Sequence, residues 1–169
     1  MVTLTSEFEV LKATIVWLHT NGWTIESVSI ATGKGLPPIE QQKAQLERDL
    51  ETADIPFYGT IYRSKGPDII AHSHEGTWKM ECKGLGSGTS QTLRENFYRA
   101  VSSVVSYFDS PETRLGLALA NDYLWEFDLG KRLPRALREA INLWVLLLEN
   151  ESIYPYEPTD ELPYPGADK

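Results

Sequence analysis

The sequence predicts an α/β protein in which helices flank a central sheet. Two segments carry apolar residues at helical spacing, one near the N-terminus and one in the middle of the chain. Several short runs rich in β-branched and aromatic residues lie between and after them, as strands would. With 169 residues, 41% of them hydrophobic, the chain is long enough for one domain with its own core. We therefore expect a single domain over residues 1–148, followed by a tail.

The first predicted helix covers residues 5–20, TSEFEVLKATIVWLHT, with Thr5 or Ser6 as its cap and Asn21-Gly22 as its end. Residues 23–30 then predict a strand. The mostly polar stretch near residues 36–54 has helical character, two prolines at its start and few apolar residues to bury. We interpret it as an exposed helical insertion.

The middle of the chain predicts the rest of the sheet and a second long helix. Residues 56–63, 67–72 and 77–84 have strand character, and the turn-prone SHEGT makes a hairpin of the last two. Apolar residues from Leu93 to Phe108 mark the buried side of the long helix. A strand at 114–121, a helix at 131–141 and a buried strand in NLWVLLLEN complete the predicted core.

The last 21 residues, 149–169, differ in composition from the rest. They hold six acidic residues, one Lys, four prolines and three tyrosines, which opposes regular structure and predicts an extended acidic tail. The net charge of the whole chain is −8, and the body without the tail has 15 basic against 18 acidic residues. This balance disfavours strong non-specific binding of nucleic acid, although it leaves room for a local basic groove.

Cysteine content and hydropathy indicate where the protein works. Cys82 is the single cysteine, so no disulfide framework can form within one chain, and a reducing compartment fits. The longest apolar stretches are too short to cross a bilayer, and the N-terminus lacks a signal pattern. We expect a cytoplasmic protein with no membrane partner.

The segment GPDIIAHSHEGTWKMECKG carries the chemistry. In a strand, Lys79, Glu81 and Lys83 share one face, opposite Trp78, Met80 and Cys82. A hairpin with its turn near residues 73–76 brings Asp68 close to Glu81 and Lys83. Hard divalent cations such as Mg²⁺ take carboxylate ligands, and a nearby lysine can orient or deprotonate a metal-bound water. The hairpin therefore predicts a site for Mg²⁺ or Mn²⁺.

Pro67-Asp68, followed thirteen residues later by Glu81-Cys82-Lys83, resembles the PD-(D/E)XK signature of restriction-endonuclease-like nucleases. The order helix, strand, Pro-Asp strand, Glu-x-Lys strand, long helix, strand is also similar to the core of that superfamily, over roughly residues 5–121. The resemblance implies a restriction-endonuclease-like αβββαβ core with a mixed central sheet flanked by helices. It also implies a Mg-dependent hydrolase that cleaves phosphodiester bonds of DNA.

The resemblance assigns roles to residues of this chain. Asp68 and Glu81 would bind the metal together with the backbone carbonyl of Cys82, and Lys83 would serve hydrolysis. Many relatives add a glutamate from the first helix, which corresponds to Glu9 or Glu7. A helix cannot point both the same way, and we favour Glu9.

Four further residues are candidates for binding the phosphates of a substrate. Gln91 and Arg94 lie near the start of the second long helix, whose N-terminus attracts anions. Arg63 and Lys65 flank the proposed site and could form part of a basic groove. Each of the four has an ordinary alternative as a solvated surface residue.

Two alternatives stay open at the level of function. The chain could be a catalytically silent protein that kept the nuclease fold and holds a partner through its acidic tail and polar helix. It could also cleave RNA, since the same metal chemistry serves both nucleic acids and nothing in the sequence reads a 2′-hydroxyl. A short chain without a separate recognition domain would take specificity from a protein partner or from homo-oligomers.

Overall fold

A mixed sheet of seven strands runs through the protein. The computed structural model describes residues 4–86, 88–122 and 125–163, and for residues 126 and 127 it describes the backbone alone. The helices are α1 Glu7–Thr20, α2 Ile39–Thr52, α3 Ser90–Ser106, α4 Glu126–Arg132 and α5 Arg135–Ala140. The strands are β1 Thr24–Ile30, β2 Thr60–Arg63, β3 Ile69–Ser73, β4 Gly76–Lys83, β5 Arg114–Ala120, β6 Leu143–Glu149 and β7 Ser152–Tyr156. The α/β class predicted from the sequence is confirmed.

The strands lie in the order β2-β1-β3-β4-β5-β6-β7. The pairs β1-β2, β4-β5 and β5-β6 are parallel, and the other three are antiparallel. Thr14 of α1 hydrogen-bonds Cys82, whereas the chain just after α3 contacts Glu81 through Tyr107. Because neighbouring strand residues point to opposite faces, α1 and α3 cover opposite faces of the sheet.

The first helix begins where its sequence signals place it. Ser6 is the N-cap: its hydroxyl accepts the backbone N–H of Glu9, and the Glu9 carboxylate accepts the backbone N–H of Ser6 at 2.6 Å. This reciprocal capping box satisfies two backbone donors that would otherwise lack a partner. The predicted helix and its cap are confirmed.

The β3-β4 hairpin also follows its prediction. Ser73 pairs with Gly76, and His74 and Glu75 form the two-residue turn between them. Gly76 adopts a φ of 132°, a conformation that only glycine reaches at low cost. At this end of β4, Trp78 packs edge-to-face against three other tryptophans, Trp17, Trp23 and Trp144. Strand β4 is thus anchored at the end opposite Glu81 and Lys83.

Three predicted elements have different bounds or surroundings in the structure. Only the second half of the strand predicted at 56–63 joins the sheet, as β2. The helix predicted at 131–141 falls in α4 and α5, which Pro134 separates because it has no N–H to continue a helix. The predicted insertion is more than a surface helix, since Leu46 and Leu50 of α2 are 0% and 1% exposed in the core.

The C-terminal segment is not a free tail over the part that the structure describes. Ser152–Tyr156 pair with β6 as an edge strand, where Pro155 is tolerated because the outer side of an edge strand needs no ladder bond. The chain then stays packed as far as Leu162, which is buried. Residues 164–169 of the predicted tail lie outside the described residues.

A buried arginine holds this segment in place. Arg138 is 1% exposed, and its guanidinium donates to the backbone carbonyls of Leu133, Glu157 and Asp160. A guanidinium suits this position because its planar fork of donors can serve several acceptors at once.

Within the described part of the chain, no helix has both the length and the apolar character needed to cross a bilayer.

Replacing Arg138 by Met should lower the free energy of unfolding by about 3 kcal/mol, because three backbone carbonyls, one of them buried, would lose a charged donor. The matched control is Arg135→Met on the same helix, whose side chain is exposed and pairs with Glu139 four residues on. That change should cost only a few tenths of a kcal/mol, as is typical of surface ion pairs. Urea unfolding measures both, and equal losses for the two variants would contradict the role of Arg138.

Candidate functional site

Asp68 and Glu81 lie at the open end of the β3-β4 hairpin. The ladder between the two strands ends at the pair Ile69–Met80, so Asp68 and Glu81 each come directly beyond it. The backbone of Asp68 is held on both sides: its N–H donates to the Met80 carbonyl at 2.8 Å, and its carbonyl accepts the N–H of Ser29 at 2.8 Å. The negative charge of Glu81 raises the pKa of Asp68, so the two carboxyl groups lie close together. The hairpin therefore brings the two carboxyl groups together, as the sequence predicted.

The Asp68 carboxylate is fixed and short of solvent. Its Oδ2 accepts the backbone N–H of Cys82 at 2.7 Å. Burial, and then the negative charge of Glu81, raises the pKa of Asp68 well above its usual range, against the opposing effect of the Cys82 hydrogen bond. Asp68 therefore carries a charge that the folded protein stabilises poorly by itself.

Glu81 is held by a residue that the sequence analysis missed. The phenol of Tyr107, just after α3, donates to Oε2 of Glu81 at 2.7 Å and also contacts the Gly66 carbonyl at 3.2 Å. Burial raises the pKa of Glu81, the Tyr107 hydrogen bond opposes this rise, and the charge of Glu7 adds to it. Tyr107 directly follows Ser106 as the C-cap of α3, but it is not one of the apolar positions that mark the buried side of the helix, so no local signal singled it out.

Glu7, not Glu9, is the residue of the first helix that reaches this cluster. The Lys83 ammonium lies 2.8 Å from Oε2 of Glu7, and the charge of Glu7 acts on both Asp68 and Glu81. Glu9 points back to the Ser6 backbone in the capping box. The preference for Glu9 is therefore wrong on geometry, because its carboxylate serves the helix start.

A close crossing of two backbones sets the position of Glu7. The segment before α1 passes over the end of β4, and the Leu85 N–H donates to the Thr5 carbonyl at 2.8 Å. A Cβ on Gly84 would overlap the backbone of Ser6 and Glu7. Only glycine fits at this crossing, which brings Glu7 beside Lys83.

Cys82 contributes its backbone rather than its thiol. The side chain is fully buried on the α1 face, and this burial raises the pKa of the thiol well above its usual range. A protonated thiol is a poor metal ligand, while the N–H of Cys82 already binds Asp68. The proposed use of its carbonyl by a metal stays a prediction.

Arg63 and Lys65 lie at the same end of the sheet as Asp68. Arg63 is exposed at the end of β2, beside Ile30, and the Lys65 N–H donates to the Ser29 hydroxyl at 2.7 Å. The exposed Lys65 ammonium lies 5.6 Å from the ring centre of Tyr62. Both cations are thus free to meet an anion approaching this end of the protein.

Gln91 and Arg94 are not brought to the cluster by any contact among the described residues. The C-terminal end of α3, not its start, is the part that reaches Glu81 through Tyr107. Gln91 lies sixteen residues earlier, about 24 Å along the helix axis. Its amide donates to Glu95 at 3.3 Å. These two residues remain exposed on α3, away from Glu81.

The cluster combines three carboxylates, Glu7, Asp68 and Glu81, with one ammonium, Lys83. Such an excess of negative charge suits a hard divalent cation, which prefers oxygen ligands. Among the residues that the structure describes, no group of three or more His, Cys, Asp or Glu side chains is placed so that it could hold a metal ion. Mg²⁺ commonly takes only one or two protein carboxylates and keeps several waters, so the chemistry of the donors fits this ion.

Comparisons with protein-family models, with curated proteins and with solved structures gave no match.

In metal-free buffer, Asp68→Asn should make the protein more stable near pH 8. A carboxyl with a raised pKa keeps its proton to higher pH in the folded state than in the unfolded chain, so stability falls as the pH rises between the two pKa values. Asparagine keeps an oxygen for the Cys82 N–H and removes the charge. The advantage of the variant should shrink as the pH falls and vanish towards about pH 3, below the unfolded pKa, where Asp68 is protonated in both states.

Urea unfolding in EDTA at several pH values measures this difference. The control is Asp109→Asn, because hydrogen bonds from Lys79 and Thr113 lower the pKa of Asp109. That change should lower stability near neutral pH, the opposite sign. A variant of Asp68 no more stable than the wild type near pH 8 would contradict the electrostatic description of the cluster.

Proposed function

We propose that the protein is a Mg²⁺-dependent nuclease that hydrolyses phosphodiester bonds of DNA. The observation that carries the proposal is the closeness of Asp68 and Glu81 at the open end of one hairpin, with Lys83 and Glu7 beside them. Two carboxylates and a lysine at one end of a sheet are the groups that metal-assisted hydrolysis of a phosphate ester needs.

The order of the elements supports the finer fold assignment. The sequence α1, β1, β3, β4, α3, β5 follows the αβββαβ order of the restriction-endonuclease-like core. In the sheet, β1, β3, β4 and β5 are neighbours in that order. In this interpretation α2 and β2 are an insertion, and β6 and β7 extend the sheet beyond the core.

Asp68 and Glu81 are the residues that would hold the metal, and Tyr107 would keep Glu81 in place by its hydrogen bond. When bound, Mg²⁺ would polarise a phosphate oxygen and lower the pKa of a water molecule. The raised pKa values of Asp68 and Glu81 support this role, because strongly shifted carboxyl groups concentrate at functional sites.

Lys83 is the group that would act on the substrate directly. Its ammonium lies at the end of β4, and Glu7 holds it at 2.8 Å. From there it can donate to a phosphate oxygen and stabilise the negative charge that grows during hydrolysis. Glu7 acts through Lys83, by fixing the position of the ammonium.

Arg63 and Lys65 would bind flanking phosphates. They are exposed at the end of the sheet where Asp68 lies, and Lys65 is tied by its backbone to Ser29 of β1. With a net charge of −8, the protein would depend on these few local cations, so its affinity for DNA should be low, and salt should weaken it with the shallow dependence of a few phosphate contacts.

The proposal predicts that Lys83→Ala lowers the rate of Mg²⁺- or Mn²⁺-dependent cleavage of plasmid and single-stranded DNA by about 10²–10⁴-fold, the range for loss of a positioned catalytic group. Lys79→Ala is the matched control. Lys79 projects from the same face of β4 but pairs with Asp109 at 2.7 Å, outside the cluster. Its replacement should leave the rate within a few-fold of the wild type.

A second matched pair separates the two glutamates of α1. Glu7→Gln should reduce cleavage strongly, whereas Glu9→Gln should not, because glutamine also completes a capping box. Full activity of Lys83→Ala would refute the assignment of cleavage to the site formed by Asp68, Glu81 and Lys83. Cleavage of RNA but not of DNA would show that RNA is the substrate. Cleavage of neither would favour the alternative that the chain is a non-enzymatic interaction protein.

A further inference from the structure

A cavity of about 370 Å³ opens beside the carboxylate cluster. It lies between α1 and α2, at the end of β1, and Glu7 and Asp68 form part of its wall. Its volume falls within the range of roughly 300–1,000 Å³ typical of small-molecule sites. The cavity is therefore large enough for a flat ring system and shares residues with the proposed metal site.

The walls of this cavity are mainly apolar. They come from the first half of α1, from the end of β1 and from the loop before α2, through Phe8, Leu11, Ile30, Ala31, Leu36 and Pro37. Leu36 is 47% exposed. An apolar slot suits a group that loses little on leaving water, as the face of an aromatic ring does.

Two buried polar side chains line the same cavity. Gln42 is 9% exposed, and its amide nitrogen donates to the carbonyls of Ala31 at 3.1 Å and Pro37 at 2.9 Å. Both amide hydrogens are thus engaged, and no described donor reaches Oε1. Gln42 is therefore fixed and has a hydrogen-bond acceptor left to offer.

Ser29 supplies the complementary group. It is 3% exposed on β1, and its hydroxyl oxygen accepts the N–H of Lys65 at 2.7 Å. No described acceptor takes its hydroxyl hydrogen. Buried polar groups are normally paired, so an acceptor on Gln42 and a donor on Ser29 in one cavity indicate a ligand that has both.

We propose that this cavity binds one nucleobase of the nucleic acid whose phosphate lies at the Asp68–Glu81 site. A nucleobase is a flat ring that fits apolar walls, and its edge carries a donor and an acceptor to match Gln42 and Ser29. The proposal rests on the nuclease function proposed above. It adds a substrate class, because a base can enter a cavity between two helices only when it is unstacked and unpaired.

The substrate is therefore a single strand, a frayed end or an unpaired site rather than an intact duplex. A base inside a duplex would have to leave its stack, which costs a few kcal/mol, whereas an unpaired base enters without this cost. The wild type should accordingly cleave a single-stranded oligonucleotide at least about tenfold more efficiently, in kcat/KM, than the same sequence in a duplex.

Binding can be tested without catalysis by titrating the four deoxynucleosides into ¹⁵N-labelled protein. A deoxynucleoside has no phosphate, so the carboxylates do not repel it and no metal is required. We expect saturable shifts of the backbone amides of Ser29, Ala31 and Gln42, and their loss in Ala31→Leu, which fills the cavity. An absence of shifts in the wild type would overturn the proposal whether or not the protein cleaves DNA.

The cleavage assay uses Ala31→Leu and Ser29→Ala, with Ser27→Ala as the matched control. Ser27 is buried two residues earlier on β1 and does not line the cavity. The two cavity variants should lower the ratio of single-strand to duplex cleavage about tenfold, and Ser27→Ala should not change it. Thermal unfolding checks that each variant folds. If Ala31→Leu fails to fold, Ser29→Ala, which adds no volume to the cavity, tests the proposal alone.

The two proposals fail in different ways. If deoxynucleosides bind in the cavity but no nucleic acid is cleaved, the proposed base site stands and the proposed nuclease function is refuted. Cleavage that depends on Lys83 but treats single strand and duplex alike would retain the nuclease and refute the base site.

Discussion

The register of β3 against β4 is the constraint on which the site depends. The ladder ends at the pair Ile69–Met80, and the Asp68 N–H donates to the Met80 carbonyl, which holds Asp68 close to Glu81 at the open end of the hairpin. A slip of one residue would turn every side chain of β4 to the other face and bury the charges. The buried set Trp78, Met80 and Cys82 excludes that slip, so the core itself fixes the carboxylates.

The resulting cluster works against stability. Asp68 and Glu81 are held close together, partly out of water, with Glu7 adding negative charge and Lys83 the opposing positive charge. The surrounding structure nevertheless holds them firmly, through the Cys82 N–H, the Tyr107 phenol and the crossing at Gly84. Rigid support for mutually repelling groups is typical of a site that binds a cation or substrate.

Local signals predicted much of the fold and the heart of the site. Capping at Ser6, the turn before Gly76 and the alternation in β4 each act over a few residues, so the sequence reveals them. The choice between Glu7 and Glu9, the role of Tyr107 and the distance of Gln91 depend on how helices cross the sheet, which no local pattern encodes. The C-terminal strand β7 was missed because its segment is rich in proline, which disfavours strands in general, although an edge strand tolerates proline. The cavity beside Asp68 likewise exists only after α2 packs.

Calorimetric titration with Mn²⁺ tests most directly whether the carboxylate cluster is a metal site. The wild type should bind Mn²⁺ saturably, and Asp68→Asn and Glu81→Gln should lose this binding. Glu9→Gln, which leaves the cluster intact, should bind as the wild type does. Saturable binding that survives in Asp68→Asn, or no binding by the wild type, would contradict the assignment of Asp68 and Glu81 as metal ligands.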